Sequence, residues 1–287
     1  MGFQVVEFLQ DSSIAGQGRS GRQTSRPGLL ARGGAGRQRG FGVESGFSVP
    51  ALRRIPAPVR RREMADPSTA GAVIDQLRRQ PVLIALPPVY ALLAAPTAAG
   101  IAGLNRLKRR LPGKNYGTAV GQISNFWNLV ERSTVPAGFD GPADLEASRD
   151  IFFRCKVAGA RAETPVLRGG THQTLILDEP YRSLMCEIEE AFQDEADPEL
   201  FGGHRFSAPL ITSCNLSGDP LGSITDRARA RSFADERGVG LWVEGAEPSS
   251  ESGSYPILEL EASGLSIRRD GGSIRHREIY TRFGQES

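Results

Sequence analysis

The stretch Gln80-Pro81-Val82-Leu83-Ile84-Ala85-Leu86-Pro87-Pro88-Val89-Tyr90-Ala91-Leu92-Leu93-Ala94-Ala95-Pro96 continues without a charged residue to Asn105, and its reading decides the architecture. A span of this length and apolarity is long enough to cross a bilayer as a helix. Its chemistry argues against one. Pro87 and Pro88 remove two amide donors in mid-span, and Pro96, Gly100 and Gly103 interrupt it again. The span divides instead into three pieces. Residues 82–86 read as a buried strand, 87–96 as an irregular turn region, and 98–110 as a helix with Ile101, Leu104 and Leu107 on one face. Leu111-Pro112-Gly113 ends that helix. No membrane partner is expected.

Working outward, Ser68 or Thr69 can cap a helix running to about Arg79, with Val73, Ile74 and Leu77 on its buried side. On the other flank, residues 117–123 suit a strand, and a helix is expected over 145–153. Residues 181–192 place Leu184, Met185, Ile188 and Phe192 on one helical face, with Glu187, Glu189 and Glu190 outside it. Short apolar strands follow at 209–212 and 239–243, with a charged amphipathic helix at 225–237 between them. Leu258 and Leu260 alternate with Glu259 and Glu261, Ser263-Gly264 turn the chain, and Leu265 and Ile267 resume the alternation, which is a β-hairpin with one wet face. Helices interspersed with strands, some joined as hairpins, specify an α/β domain with a mixed sheet.

The 287 residues suffice for one such domain and an appendage. Residues 1–63 carry 11 Arg and 4 acidic residues and have no useful hydrophobic period. Such a stretch cannot bury enough apolar surface to offset its ordering entropy. It is expected to be a disordered tail or to precede a true start at Met64, which leaves 64–287 as the folded domain. A formal net charge of +2 excludes a strong overall attraction to nucleic acid or anionic lipid, so any basic surface is local. Cys155, Cys186 and Cys214 lie far apart, which fits reduced thiols in the cytoplasm better than a disulfide framework. No Cys/His pair has metal-ligand spacing, and no protein-held metal is expected.

The cations are lopsided in kind: 32 Arg stand against three Lys, and two of those three, Lys108 and Lys114, lie six residues apart. In a chain that otherwise uses Arg, paired ammonium groups fit phosphate binding or, as simply, a helix carboxyl end that complements the macrodipole. A second patch, Thr212-Ser213-Cys214-Asn215-Leu216-Ser217-Gly218, follows directly on a strand. Its hydroxyls and amide either meet a polar ligand or bond their own turn.

In this order the segments resemble the YrdC-like family, whose best-known members are threonylcarbamoyl-AMP synthases. The likeness rests on Lys108, Arg110 and Lys114, on Ser213-x-Asn215-Leu216-Ser217-Gly218, and on Ile267-x-Arg269-x-Gly271, and it spans residues 68–275. It implies a single α/β domain, a twisted mixed parallel and antiparallel sheet flanked by helices, with a basic concave cleft for ATP. Family enzymes join bicarbonate to the threonine amine and adenylate the carbamate, releasing pyrophosphate; the product feeds a tRNA modification. The resemblance implies ATP with Mg2+ and bicarbonate as co-substrates. It assigns Lys108 and Arg110 to the nucleotide and carbonate as catalytic cations, Lys114 to the phosphates, Ser213 and Asn215 to the nucleotide, and Arg269 to the same cleft. Positive groups in a desolvated cleft would neutralise the triphosphate and the charge developing at the α-phosphorus.

The departures concern the amino acid. Where the family reads Pro-Thr-(Asp/Glu)-Thr-Val-Tyr-Gly-Leu, this chain has Ala85-Leu86-Pro87-Pro88-Val89-Tyr90-Ala91-Leu92, which keeps Tyr90 as the substrate-side residue and loses both Thr hydroxyls. The family's Arg-Val-Pro is replaced as well, with Arg168 the nearest stand-in, and Tyr255-Pro256 occupies the place of a Ser-Thr pair. Three readings follow. The chain activates the carbamate of an amine other than threonine; or it is a silent nucleotide- or double-stranded-RNA-binding module; or it is a threonylcarbamoyl-AMP synthase with a rebuilt pocket. The first is preferred, because a site that has lost its hydroxyls leaves the threonine hydroxyl unpaired.

Overall fold

The computed structural model describes residues 58–248, 253–271 and 275–284. They form ten strands and seven helices: β1 (Arg60–Glu63), α1 (Thr69–Leu77), β2 (Val82–Leu86), β3 (Val89–Ala94), α2 (Ala98–Lys108), β4 (Gly117–Val120), α3 (Ile123–Leu129), α4 (Pro142–Ala147), β5 (Ile151–Lys156), β6 (Thr171–Ile176), α5 (Tyr181–Ala191), β7 (Leu210–Ser213), α6 (Arg227–Arg237), β8 (Leu241–Glu244), β9 (Ile257–Glu261), β10 (Gly264–Arg269) and α7 (Arg275–Phe283). One sheet holds all ten strands in the order β1-β8-β2-β3-β7-β4-β6-β5-β9-β10. The pairs β1/β8, β2/β8, β4/β6 and β5/β9 are parallel and the rest antiparallel, so the sheet is mixed, as the hairpin and crossover signals require. Among the described residues no helix is long and apolar enough to cross a membrane.

Strand alternation sends side chains to two cores. Tyr90, Leu92, Phe153, Leu210 and Trp242 pack with α2, α3 and α6 on one face. Ile84, Ala91, Leu93, Ala119, Phe152, Leu175 and Ile211 pack with Val73 and Leu77 of α1 and with Leu184, Met185 and Ile188 of α5 on the other. The second layer is incomplete: the face carrying Ala91, Gly117, Phe152 and Gln173 is open at one end, and the cavities described below occupy that end.

Four expectations change. The uncharged stretch is not strand and irregular turn; Pro87 and Pro88 form a two-residue turn between β2 and β3, paired Leu86 to Val89 through Val82 to Leu93. Residues 145–153 are not one helix. α4 ends at Ala147 and Ile151 starts a central strand, where the β-branched and aromatic run Ile151-Phe152-Phe153 suits a pleated surface buried on both sides. Glu189 is buried rather than outside α5, since it accepts the backbone N–H groups of Gly121 and Gln122 at the end of β4.

The last change concerns the domain boundary. Residues 1–57 lie outside the described residues, but Arg60–Glu63 pair in parallel with β8 as a charged edge strand, four residues before the expected start at Met64. Arg60 donates to Gln76 Oε1 (2.7 Å). Arg61 and Arg227 cover the Trp242 ring at 5.1 and 5.7 Å. A chain beginning at Met64 should therefore be less stable than one beginning at Pro58 by about 2 kcal/mol in urea unfolding, the sum of a few hydrogen bonds and one cation–π contact. Equal midpoints would mean that β1 contributes nothing.

Candidate functional site

Helix α2 ends at Lys108 because Arg109 turns left-handed (φ 47°), which sends the chain back toward the loop after β7. Lys108 is only 2% exposed. Its Nζ donates to the Ser213 carbonyl, to the Asn215 carbonyl (2.8 Å) and to Asn215 Oδ1 (3.2 Å). Ser217 N–H returns to the Lys108 carbonyl (2.9 Å), and Ser213 Oγ donates to Asn215 Oδ1 (2.6 Å). Residues more than 100 positions apart in sequence thus converge, but largely on one another. Burial, with Arg110 and Lys114 nearby, pulls the Lys108 ammonium down to about 7. Lys108 spends its donors clamping the Ser213–Ser217 backbone and lines neither of the cavities that follow; Asn215 belongs to the same clamp.

Two adjoining cavities lie on the uncovered face. One, of about 200 Å³, is floored by Leu86, Val89, Ala91, Phe152 and Ile211 and rimmed by Thr212, Ser213, Ser223 and Ser254. The other, of about 460 Å³, is lined by Arg110, Lys114, Arg154, Arg168 and Arg269. Asn115, Gln173 and Arg269 belong to both. Five cations and no carboxylate line the pair, in a protein whose net charge is only +2.

Each cation is held differently. Arg110 lies over the Tyr116 ring (4.3 Å) and donates to the Asn115 carbonyl (2.5 Å). Arg269 donates Nε–H to the Tyr255 carbonyl (2.9 Å), which fixes the guanidinium where the cavities meet. Arg154 donates to Gln173 Oε1 (3.2 Å) and has Glu259 at 3.8 Å. Lys114 and Arg168 are exposed, and their charged ends have no hydrogen-bond or ion-pair partner among the described residues. Desolvation lowers the Arg110 pKa, and desolvation with Arg154 nearby lowers that of Arg269. Crowded cations of this kind are relieved by a bound polyanion.

The cavity floor is fixed from behind. His172 Nδ1 faces the Val166 carbonyl (3.0 Å), which can only accept, so Nδ1 carries the proton and Nε2 accepts from the Thr118 hydroxyl (2.9 Å). Burial pushes His172 down to about 4 and keeps it neutral. Asn115 donates its amide to the Thr164 and Leu167 carbonyls (2.7 and 2.8 Å), holding the loop before Arg168 against the cavity.

Of the residues singled out from sequence, Arg110, Lys114, Ser213 and Arg269 line the cavities, whereas Lys108 and Asn215 stand behind Ser213. Tyr90 does not reach the site. It is a β3 residue facing the opposite core, 1% exposed, with its ring edge-on to Trp242 at 5.6 Å. Its neighbours Val89 and Ala91 take the cavity side instead. Sequence reasoning missed Asn115, Arg154 and Gln173. The alternation Phe153-Arg154-Cys155-Lys156 is the signal that places Arg154 on a strand face. Among the described residues no cluster of three or more His, Cys, Asp or Glu could hold a metal ion.

No protein-family model and no curated protein sequence matches the chain. Solved structures do. Escherichia coli YciO superposes with a TM-score of 0.51 at 12% identity over 75% of this chain and 97% of its own. Pyrococcus abyssi (P. abyssi) Sua5 complexed with L-threonine gives 0.51 at 14% identity over 78% of this chain and 60% of its own. HypF of T. kodakarensis gives 0.51 at 13% identity over 72% and 24%. This chain thus spans less than two thirds of the Sua5 and HypF structures. At these identities the likeness establishes a shared fold, and that fold is YrdC-like.

Proposed function

We propose that this YrdC-like chain binds the triphosphate of ATP in the cation-lined cavity, takes an amine in the adjoining apolar recess, and adenylates the carbamate formed from that amine and bicarbonate. In this reaction amine and bicarbonate lose water to give the carbamate. A carbamate oxygen then attacks the α-phosphorus and pyrophosphate leaves. One observation carries the reading: five cations without a carboxylate adjoin an apolar recess, on a fold shared with Sua5, which has been solved with L-threonine, and with a HypF solved in a phosphate- and nucleotide-bound form. Arg110 and Arg269 are the groups assigned to the phosphates, Lys114 and Arg168 to the outer charge, and Ser213 to the ligand edge. The recess floor of Leu86, Val89, Ala91 and Ile211 suits an amine with an apolar body better than threonine. The cytoplasm, where ATP is abundant and thiols stay reduced, is the compartment this reading requires.

The exposed ends of Lys114 and Arg168 also suit duplex RNA, the reading in which the chain is a silent binding module. Calorimetric titration separates the two. ATP should bind, AMP should bind at least about tenfold more weakly for want of the β- and γ-phosphates, and added salt should weaken ATP binding. Equal affinity for ATP and AMP, or no ATP binding beside salt-sensitive binding of duplex RNA, would overturn the proposal.

A further inference from the structure

A third cavity, of about 550 Å³, opens at the opposite end of β4 from the basic pair, and its chemistry is different. It lies within the size range of small-molecule sites. Its wall carries the amides of Gln122, Asn125, Asn128 and Gln193, the carboxylates Glu189 and Glu190, the Ser207 hydroxyl, His204 and Arg205.

Two of these groups are more than nine-tenths buried. Glu189 is 1% exposed. Its Oε1 accepts from Gly121 N–H (2.5 Å) and Gln122 N–H (3.3 Å), while Oε2 accepts, among the described residues, only from Asn125 Nδ2 (3.0 Å). A carboxylate oxygen can accept twice, so Oε2 retains one acceptor position. Ser207, 8% exposed, lines the same cavity with a hydroxyl that no side chain or backbone group among the described residues engages.

The charged neighbours leave room for a cation. Arg205 is turned to the Asp194 carbonyl (2.8 Å), His204 Nε2 donates to the Ala158 carbonyl (2.7 Å), and Arg182 of α5 donates Nε–H to the Gly121 carbonyl (3.1 Å) and pairs with Glu146 rather than with Glu189. Cys186 and Glu190 stand on α5 beside Glu189. No cation among the described residues pairs with Glu189 within 4 Å, and buried carboxylates are ordinarily paired.

We propose that this cavity is a second ligand site that takes a small organic ammonium ion, its N–H groups shared among Glu189 Oε2, the Ser207 hydroxyl and the amide oxygens of the wall. A primary ammonium has the three donors this arrangement calls for. Burial pushes Glu189 up to about 7, so the carboxylate is only half ionised at neutral pH. The cation needs the ionised form, and affinity must rise with pH through this range. The proposal does not depend on the reading of the basic cavities.

The test titrates the full chain with ethanolammonium chloride by calorimetry at pH 6 and pH 8. Saturable binding should be about tenfold tighter at pH 8, the change in ionised fraction of a group titrating near 7. Glu189→Gln should abolish binding and Ser207→Ala should weaken it. Ser207→Ala leaves the Glu189 hydrogen bonds intact and keeps the test valid if Glu189→Gln perturbs folding. Binding equal at both pH values, binding unaffected by Ser207→Ala, tighter binding of MgCl2 than of ethanolammonium, or no binding would each overturn the proposal.

Discussion

Replacing Arg110 and Arg269 together by Ala should weaken ATP binding on the order of a thousandfold, because each removes a charge-assisted contact of about 1.5–3 kcal/mol from a partly dry cavity. The single variants should each lose about ten- to a hundredfold. The pair need not add exactly, since Arg269 is shared by both cavities and neighbouring cations couple. Arg110→Lys should recover part of the loss by restoring charge, but not the planar stacking on Tyr116. Arg79→Ala, an exposed cation away from the cavities, serves as the control and should bind like the parent. Equal losses in the control and the cavity variants would show that overall charge, not this cavity, holds the nucleotide.

The second large effect concerns Lys108. Lys108→Met should cost about 2–4 kcal/mol in urea unfolding, because the Ser213 and Asn215 carbonyls lose a buried donor without gaining water. The pH dependence identifies the group. The folded-state pKa of about 7 lies below the unfolded value of 10.5, so between these values the unfolded chain binds more protons. Wild-type stability should therefore rise through this residue as pH goes from about 7 toward 10.5, with a slope of up to about 1.4 kcal/mol per pH unit, and show no pH dependence from it below 7, where both states carry the ammonium. Comparing unfolding of the parent and Lys108→Met at pH 6.5, 8 and 9.5 checks the sign. A penalty that does not change across that range would mean that Lys108 stays charged in its clamp.

Lys108 also shows where sequence reading reaches and where it stops. The rarity of Lys in an Arg-rich chain singled out this position, and the structure brings it to Ser213 and Asn215. Its target, however, is backbone carbonyl oxygen, which no residue spacing displays. Tyr90 fails for a different reason. The residues 87–96 looked irregular because two prolines break the period, yet two prolines fit a hairpin turn, and the resulting alternation turns Tyr90 away from Val89 and Ala91. Leu184, Met185 and Ile188 were legible because a 3.6-residue stripe survives in α5, whereas Glu189 was misplaced because burial by three hydrogen bonds leaves no trace in hydropathy. Arg154 and Gln173 enter the site only through the cross-strand register of β5 and β6, a long-range fact.

If the basic cavities adenylate a carbamate, exchange of labelled pyrophosphate into ATP measures that step in reverse as well as forward. With bicarbonate and a panel of amines and amino acids, we expect exchange that requires both bicarbonate and one class of amine, is poor with threonine, and collapses in the Arg110→Ala, Arg269→Ala double variant. Absence of exchange with every amine, from a protein that still binds ATP, would contradict it.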